Sequence, residues 1–264
     1  MQENYLGNTF WSAYFDLPAL SWPSWILMLY GAFMWLACGL TYILSLKDVR
    51  TLRGVGIWVK PMKFMAATAL FVWTTVWAAT LANSALTYGQ AYIGITALIV
   101  ITSFFEVAYI TYQAWQGAAS HYNDSDTWHI FMFGLMGFAA VGLTASQAWL
   151  AWEIWTAHGT DPLSATAWSV ILGLTLTFVL STISGFMLGG KQPPAGKGLP
   201  IVGWHFYKDI RPSHFLGVHA QQLIPLWGMV ADRFFKNYAT QVLAGGSTLY
   251  VALWGLLTLC SLRN

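Results

Sequence analysis

The stretch DIRPSHFLGVHAQQLIP, Asp209 to Pro225, decides the fold. If it crosses a membrane, the chain has seven spans and its two ends face opposite sides. If it does not, the count is six and the ends face the same side. The stretch opens like a polar loop and continues like a span. It holds Asp209, Arg211, His214, His219, Gln221 and Gln222. Polar groups at membrane depth are costly, so they face a protein interior and serve a purpose there.

The rest of the sequence is that of a polytopic membrane protein. Of 264 residues, 57% are hydrophobic and only 8% charged, against roughly 25% charged in a soluble domain. Mean hydropathy is +0.54. Sixteen tryptophans and twelve tyrosines suit aromatic belts at both interfaces. A net charge of +2 gives no footing for nucleic acid. Cys38 and Cys260 both fall in apolar runs and read as small buried hydrophobes, not a disulfide framework. The N-terminal MQENYLGNTFWSAYFDLPALSW lacks the basic region of a cleavable signal peptide.

Apolar segments lie near 24–46, 62–83, 90–116, 127–153, 165–189, 213–231 and 239–262. Each is long enough to cross ~30 Å of hydrocarbon at 1.5 Å per residue. The sixth is short and polar at its start. The expected fold is all-α: one integral domain over 1–264, a polytopic membrane helix bundle of about seven transmembrane helices.

Charge placement orients it. Lys47, Arg50, Arg53, Lys60, Lys63, Lys191, Lys197, Lys208, Arg211 and Arg263 fall on one side by parity, and only Arg233 and Lys236 on the other. The expected location is a bacterial inner membrane. The N-terminus and segment 1–23 lie outside, and the C-terminus and loop 190–212 in the cytoplasm. Parity also puts the loop GAASHYNDSD on the side of Asp209, Arg211 and His214, so two distant blocks share a membrane face.

Glu106, Tyr109 and Gln113 share one helical face, with Glu106 about 10 Å deeper than Gln113. An ionised carboxylate there must be protonated, paired with a cation or bound to a metal. Ser213 after Pro212 reads as a helix N-cap. His214 and His219 are five residues apart and do not share a face, whereas His219 and Gln222 do. Pro225 is expected to kink the helix. Asp126 reads as a cap with His129 beside it, and His205 as a solvated loop residue. GGKQPPAGKG lacks P-loop spacing, and HExxH, CxxC and GxSxG are absent.

Two blocks resemble a family of uncharacterised bacterial integral membrane proteins. GLPIVGW with DIRPSHFLGVHAQQLIPL is similar to a pattern GLPxxGW…DLRxxHFxGLHxxQxLPL. EVAYITYQAWQGAASHYN is similar to E-x3-IT-x-QA-x-RG-x2-SHFN. The matches are Glu106, Gln113, Ser120, His121, Asn123, Asp209, Arg211, His214, His219 and Gln222. Gln116 stands where the pattern has Arg. The resemblance implies that the blocks work as a unit and implies no activity.

Three functions compete for these residues. A metal- or haem-b-bearing redox protein would use His121, His214 and His219 as ligands. Gln113, Asn123 and Gln222 would help hold the cofactor. A metal-dependent intramembrane lipid hydrolase would use Glu106 or Asp209 as base and Arg211 as anion clamp. A transporter, or a quinone- or pigment-binding subunit of a larger complex, would use Glu106 and the histidines as a proton relay or ligand contacts. Partners are the lipid bilayer and, in the last case, other membrane subunits. No lysine sits inside the last span, which disfavours a retinal protein.

Overall fold

In the computed structural model the described residues are 20–81, 84–159, 163–196, 198–199, 203–205 and 207–262. The fold is an all-α bundle. Its helices are α1 (Trp22–Ser45), α2 (Val59–Thr80), the short α3 (Ser84–Tyr88), α4 (Gln90–Gln116), α5 (Thr127–His158), α6 (Ala165–Gly190), α7 (Arg211–Phe234) and α8 (Ala239–Leu262). A two-residue hairpin, β1 (Thr51–Leu52) with β2 (Val55–Gly56), joins α1 to α2. Arg53 and Gly54 turn it at φ 53° and 80°, the left-handed pair a tight hairpin requires. Expected segment 1–23 and residues Lys197 and Arg263 fall mainly or wholly outside the described residues.

Six helices are long and apolar enough to cross a membrane, and α7 is not among them by composition. Its packing settles its course. His214 lies against Gly185, Gly217 against Ser181, Pro225 against Gly173 and Gly228 against Ser169. Between these, the Gln221 N–H donates to Thr177 Oγ1 at 2.9 Å. At the far end Asp232 accepts from Thr166 N at 2.7 Å. One helix counts up as the other counts down, so α7 runs antiparallel along the whole of α6. With α7 included, seven helices of at least 22 residues have the length to span ~30 Å.

Small residues make that pairing. In lipid, helices associate through close packing and interhelical hydrogen bonds. Gly173, Thr177 and Ser181 on α6 meet Gly217, Gln221 and Pro225 on α7. A sequence too polar for lipid is thus buried on one face. Helix α7 continues through Pro225 as one element, with the ring lying against Gly173. The cap differs from expectation: the helix starts at Arg211 after Ile210, and Ser213 Oγ donates back to Ile210 O at 3.0 Å.

The core joins α1, α2, α4, α5 and α6 through Leu27, Val72, Ile99, Leu150 and Leu174, all fully buried. Leu29, Phe33, Ile101, Phe138, Phe186 and Leu249 are exposed on the outside. A large apolar mantle of this kind is what lipid covers. Asp126 caps α5, accepting from His129 N at 2.9 Å, as the sequence suggested. Helix α5 extends to His158, five residues past its expected end, and α2 begins at Val59 rather than near 62.

Candidate functional site

Three interhelical loops gather at one end of the bundle, held by backbone contacts. Arg50 Nη1 donates to Trp115 O at 3.0 Å, and Arg53 Nη2 to Pro193 O at 2.7 Å. The Tyr122 hydroxyl donates to Leu188 O. Tyr122 has φ 55°, a conformation few bulky residues adopt, and this contact holds it there. Asn123 is used to shape its own loop: Nδ2 donates to Ala119 O at 3.1 Å, and Oδ1 accepts from Ser125 N at 3.2 Å.

Lys60 is central here. The early start of α2 makes it the second residue of the helix, so its side chain enters the bundle instead of a loop. Nζ donates to Ser120 Oγ at 2.7 Å and lies 5.9 Å from the Phe64 ring centroid. Ser120 Oγ sits 3.3 Å from His121 Nδ1. The His121 ring packs among Phe133, Phe64 and Tyr122. Burial, with the nearby Lys60 ammonium, pushes its pKa down to about 3. His121 is therefore a neutral imidazole at physiological pH, with one donor and one acceptor nitrogen.

Glu106 is 7% exposed. Among the described residues its electrostatic partner is Lys60, and no carboxylate–ammonium pair closes to 4 Å there. Its neighbour on the same face, Gln113, donates to Tyr109 Oη at 3.0 Å. Lys60, Ser120 and His121 are linked by hydrogen-bond contacts, and Glu106 lies within electrostatic reach of Lys60.

Asp209 and Arg211 form a self-contained clamp. Asp209 Oδ1 accepts from Arg211 N at 3.1 Å and Nε at 2.8 Å. Oδ2 accepts from Arg211 Nη2 at 2.7 Å and from His205 N at 2.8 Å. Arg211 Nη2 also donates to Gly203 O at 2.9 Å. Burial opposes ionisation of Asp209, but the guanidinium and the two amide donors outweigh it and hold its pKa below the usual carboxylate range. A carboxylate this engaged is no base near neutral pH. His205 is half-buried with its Nε2 unpartnered among the described residues, not solvated as its loop position suggested.

The histidines of α7 point to different neighbours, as their spacing required. His214 Nδ1 lies 3.1 Å from Ser184 Oγ on α6. The His219 ring packs tilted against Phe215, centroids 4.2 Å apart, and its Nδ1 lies 3.2 Å from Gln222 Oε1. Gln222 Nε2 donates onward to Thr74 Oγ1 on α2 at 3.1 Å. The structure does not pair Glu106 with His219. Glu106 faces Lys60 electrostatically, whereas His219 leads through Gln222 to Thr74 of α2. Among the described residues no three His, Cys, Asp or Glu side chains converge as a metal site.

No family model, curated protein or solved structure matches the chain. The geometry is therefore the basis for a functional reading. Sequence reasoning missed Lys60, Ser184 and Thr74. Lys60 looked like an orienting loop charge, and hydroxyls in apolar helices carry no signal on their own. The signal for Lys60 was its place two residues after Trp58, close enough to a span to be drawn inside.

Proposed function

We propose that this chain is a proton-handling protein of a bacterial inner membrane, a transporter or a subunit of a larger complex. It belongs, in this reading, with the uncharacterised integral membrane proteins that share its two polar blocks. Glu106 is the proton carrier. Lys60, Ser120 and His121 connect it to the loop end, which faces the cytoplasm by the positive-inside rule. The supporting observation is Lys60, hydrogen-bonded to Ser120 of the Ser120–His121 pair and within electrostatic reach of the buried Glu106 carboxylate. A carboxylate at this depth is kept for the proton it can take up and release.

The test is proton flux into liposomes carrying the purified protein and an internal pH dye. Glu106→Gln keeps the shape and removes the titration, and flux is expected to fall by roughly a hundredfold. Unchanged flux in a folded Glu106→Gln protein, or no flux in the wild type, removes this reading. The orientation has its own check. Single cysteines at Arg50 and Lys191 are expected to label from the cytoplasmic side, and cysteines at Tyr88 and His158 from the other. Labelling of positions 50 and 158 from one side would break the seven-span arrangement.

A haem- or metal-bearing redox role has less support, because the three histidines engage separate partners and form no three-ligand cluster among the described residues. One or two axial histidines would suffice for a haem. A Soret band in the purified protein would favour that reading over the relay. The metal-dependent hydrolase expected from sequence has no three-ligand cluster among the described residues, and a different, Ser–Lys hydrolase would use the 2.7 Å Lys60–Ser120 contact with the lysine neutral. Covalent labelling of Ser120 by a fluorophosphonate would favour it.

A further inference from the structure

Deeper than Glu106 along α2, four helices place polar side chains at one level. Thr75 Oγ1 donates to Gln147 Oε1 on α5 at 3.3 Å, and Gln147 Nε2 donates to Ser146 Oγ at 3.0 Å. Thr74, beside Thr75, accepts from Gln222 on α7. Gln221, beside Gln222, bonds through its backbone N–H to Thr177 on α6. Thr75, Ser146, Gln147 and Thr177 are all fully buried. These bonds fix a common depth for α2, α5, α6 and α7.

Gln221 stands out within the layer. It is 1% exposed, yet neither Oε1 nor Nε2 has a hydrogen-bond partner among the described residues. A primary amide offers two donors and an acceptor with two lone pairs. Buried amides are satisfied in native proteins, by protein or by ordered water. The same seam that holds α7 against α6 keeps this side chain turned inward and away from lipid. A polar, enclosed site with several donors and acceptors is where a bound water is stable.

We propose that Gln221 anchors internal water in this layer, and that this water extends the proton route of Glu106 further across the membrane. The second half rests on the proton-handling reading above; the first half does not. A proton passes along such water by exchange of hydrogen bonds with neighbouring hydroxyls. No group other than water changes its covalent bonds on the way. Gln222 and His219 border the layer, so the two glutamines of the QQ pair serve it from one helix.

Hydroxyl-radical footprinting tests the hydration, because radicals made from bound water oxidise the side chain beside it. Ile224→Met, one turn along the same face, places a reactive thioether beside Gln221 and keeps the amide that would hold the water. Met34 and Met136, each 1% exposed within apolar clusters, are dry internal standards. The introduced thioether is expected to oxidise about tenfold faster than either. Oxidation at the rate of Met34 and Met136 overturns the proposal. If Ile224→Met does not fold, Ile224 itself reports in the unmodified chain, since it is 2% exposed. Labelling of Ile224 above other buried isoleucines such as Ile95 and Ile99 supports the water, and equal labelling overturns it.

The route is read separately, with Gln221→Leu in the liposome assay. Flux is expected to fall by about tenfold. Full flux in Gln221→Leu overturns the route even if the thioether of Ile224→Met is labelled. Should the wild type show no flux at all, the proton-handling reading fails, while the labelling still decides the water.

Discussion

Gly217→Val is expected to leave little or no stably folded protein. A Cβ at this position would stand 2.8 Å from Ser181 N and 2.9 Å from Leu180 C, both backbone atoms of α6. Backbone cannot swing aside as the end of a side chain can. The two helices would have to separate, and the separation would run along the seam past Gly173 and Gln221. Overpacking typically costs ~1–3 kcal/mol, and the two extra methyls of valine place this change at or above that range. A domain stable by ~5–15 kcal/mol would also lose interhelical bonds such as Gln221 to Thr177. Gly217→Ala should be intermediate. Gly245→Ala is the control, because a Cβ there meets nothing within 4 Å. The measurement is recovery of monodisperse protein in detergent and its thermal midpoint. A Gly217→Val protein that melts with the wild type would show that the seam does not hold α7.

That seam explains why hydropathy alone left the sixth span insecure. Apolarity reports contact with lipid, whereas α7 meets lipid on one side and α6 on the other. The information was in the sequence in another form. Gly217 and Gly228 on α7, with Gly173, Thr177 and Ser181 on α6, recur at one-turn multiples, the spacing of close-packed helices. The other spans were legible from length and composition because their outward faces carry residues such as Phe33, Phe138 and Leu249. The shared end of the two blocks was legible too, since parity needs only the number of crossings.

The candidate site was read less completely, for reasons specific to each residue. Helical spacing put Gln113 with Tyr109 and His219 with Gln222, and both bonds are present. Spacing acts within one helix and cannot show what a side chain meets on another. Ser184 beside His214 and Thr74 beside Gln222 were therefore invisible, as was Lys60 beneath Ser120. Lys60 was also hidden by an end effect. Helix boundaries read from sequence shift by a turn, and one turn moved this residue from loop to interior. Asp209 and Arg211 were read as chemistry because they are charged, but their bonds go to each other and to the loop backbone at Gly203 and His205.

Asp209→Ala is accordingly expected to act on the loop before α7. The Asp209 side chain is fully buried and that of Arg211 is 29% exposed. Removing one member of a buried pair costs ~3–5 kcal/mol when the other is left without compensation. Here the guanidinium keeps some water and its bond to Gly203 O, so about 2–3 kcal/mol is the better figure. The loss should be local. Without the carboxylate, His205 N and Arg211 N lose their acceptor, and Gly203 to His205, held to Leu199 by the 2.7 Å bond from Leu199 N to Trp204 O, lose a tether to α7. Limited trypsin digestion reads this directly, with faster cleavage at Lys191 and Lys208 while the helices stay intact.

Acid should reproduce the effect in the wild type. The folded-state pKa of Asp209 is depressed, so its contribution is present above the unfolded carboxylate value near 4 and is lost as pH falls through the lower folded value. His121 acts earlier, because its folded value of about 3 lies below the ordinary value of 6.5. An unfolded imidazole takes up a proton that the buried ring refuses, so stability also falls as pH drops from 6.5 toward 3. The two groups separate by mutation. In Asp209→Ala the loss below about pH 4 should shrink to the part owed to carboxylates such as Asp48 and Asp126, whose values are also depressed, while the slope from about 6.5 remains. If that variant keeps both the full acid loss and the wild-type rate of cleavage at Lys208, Asp209 is not what holds the loop.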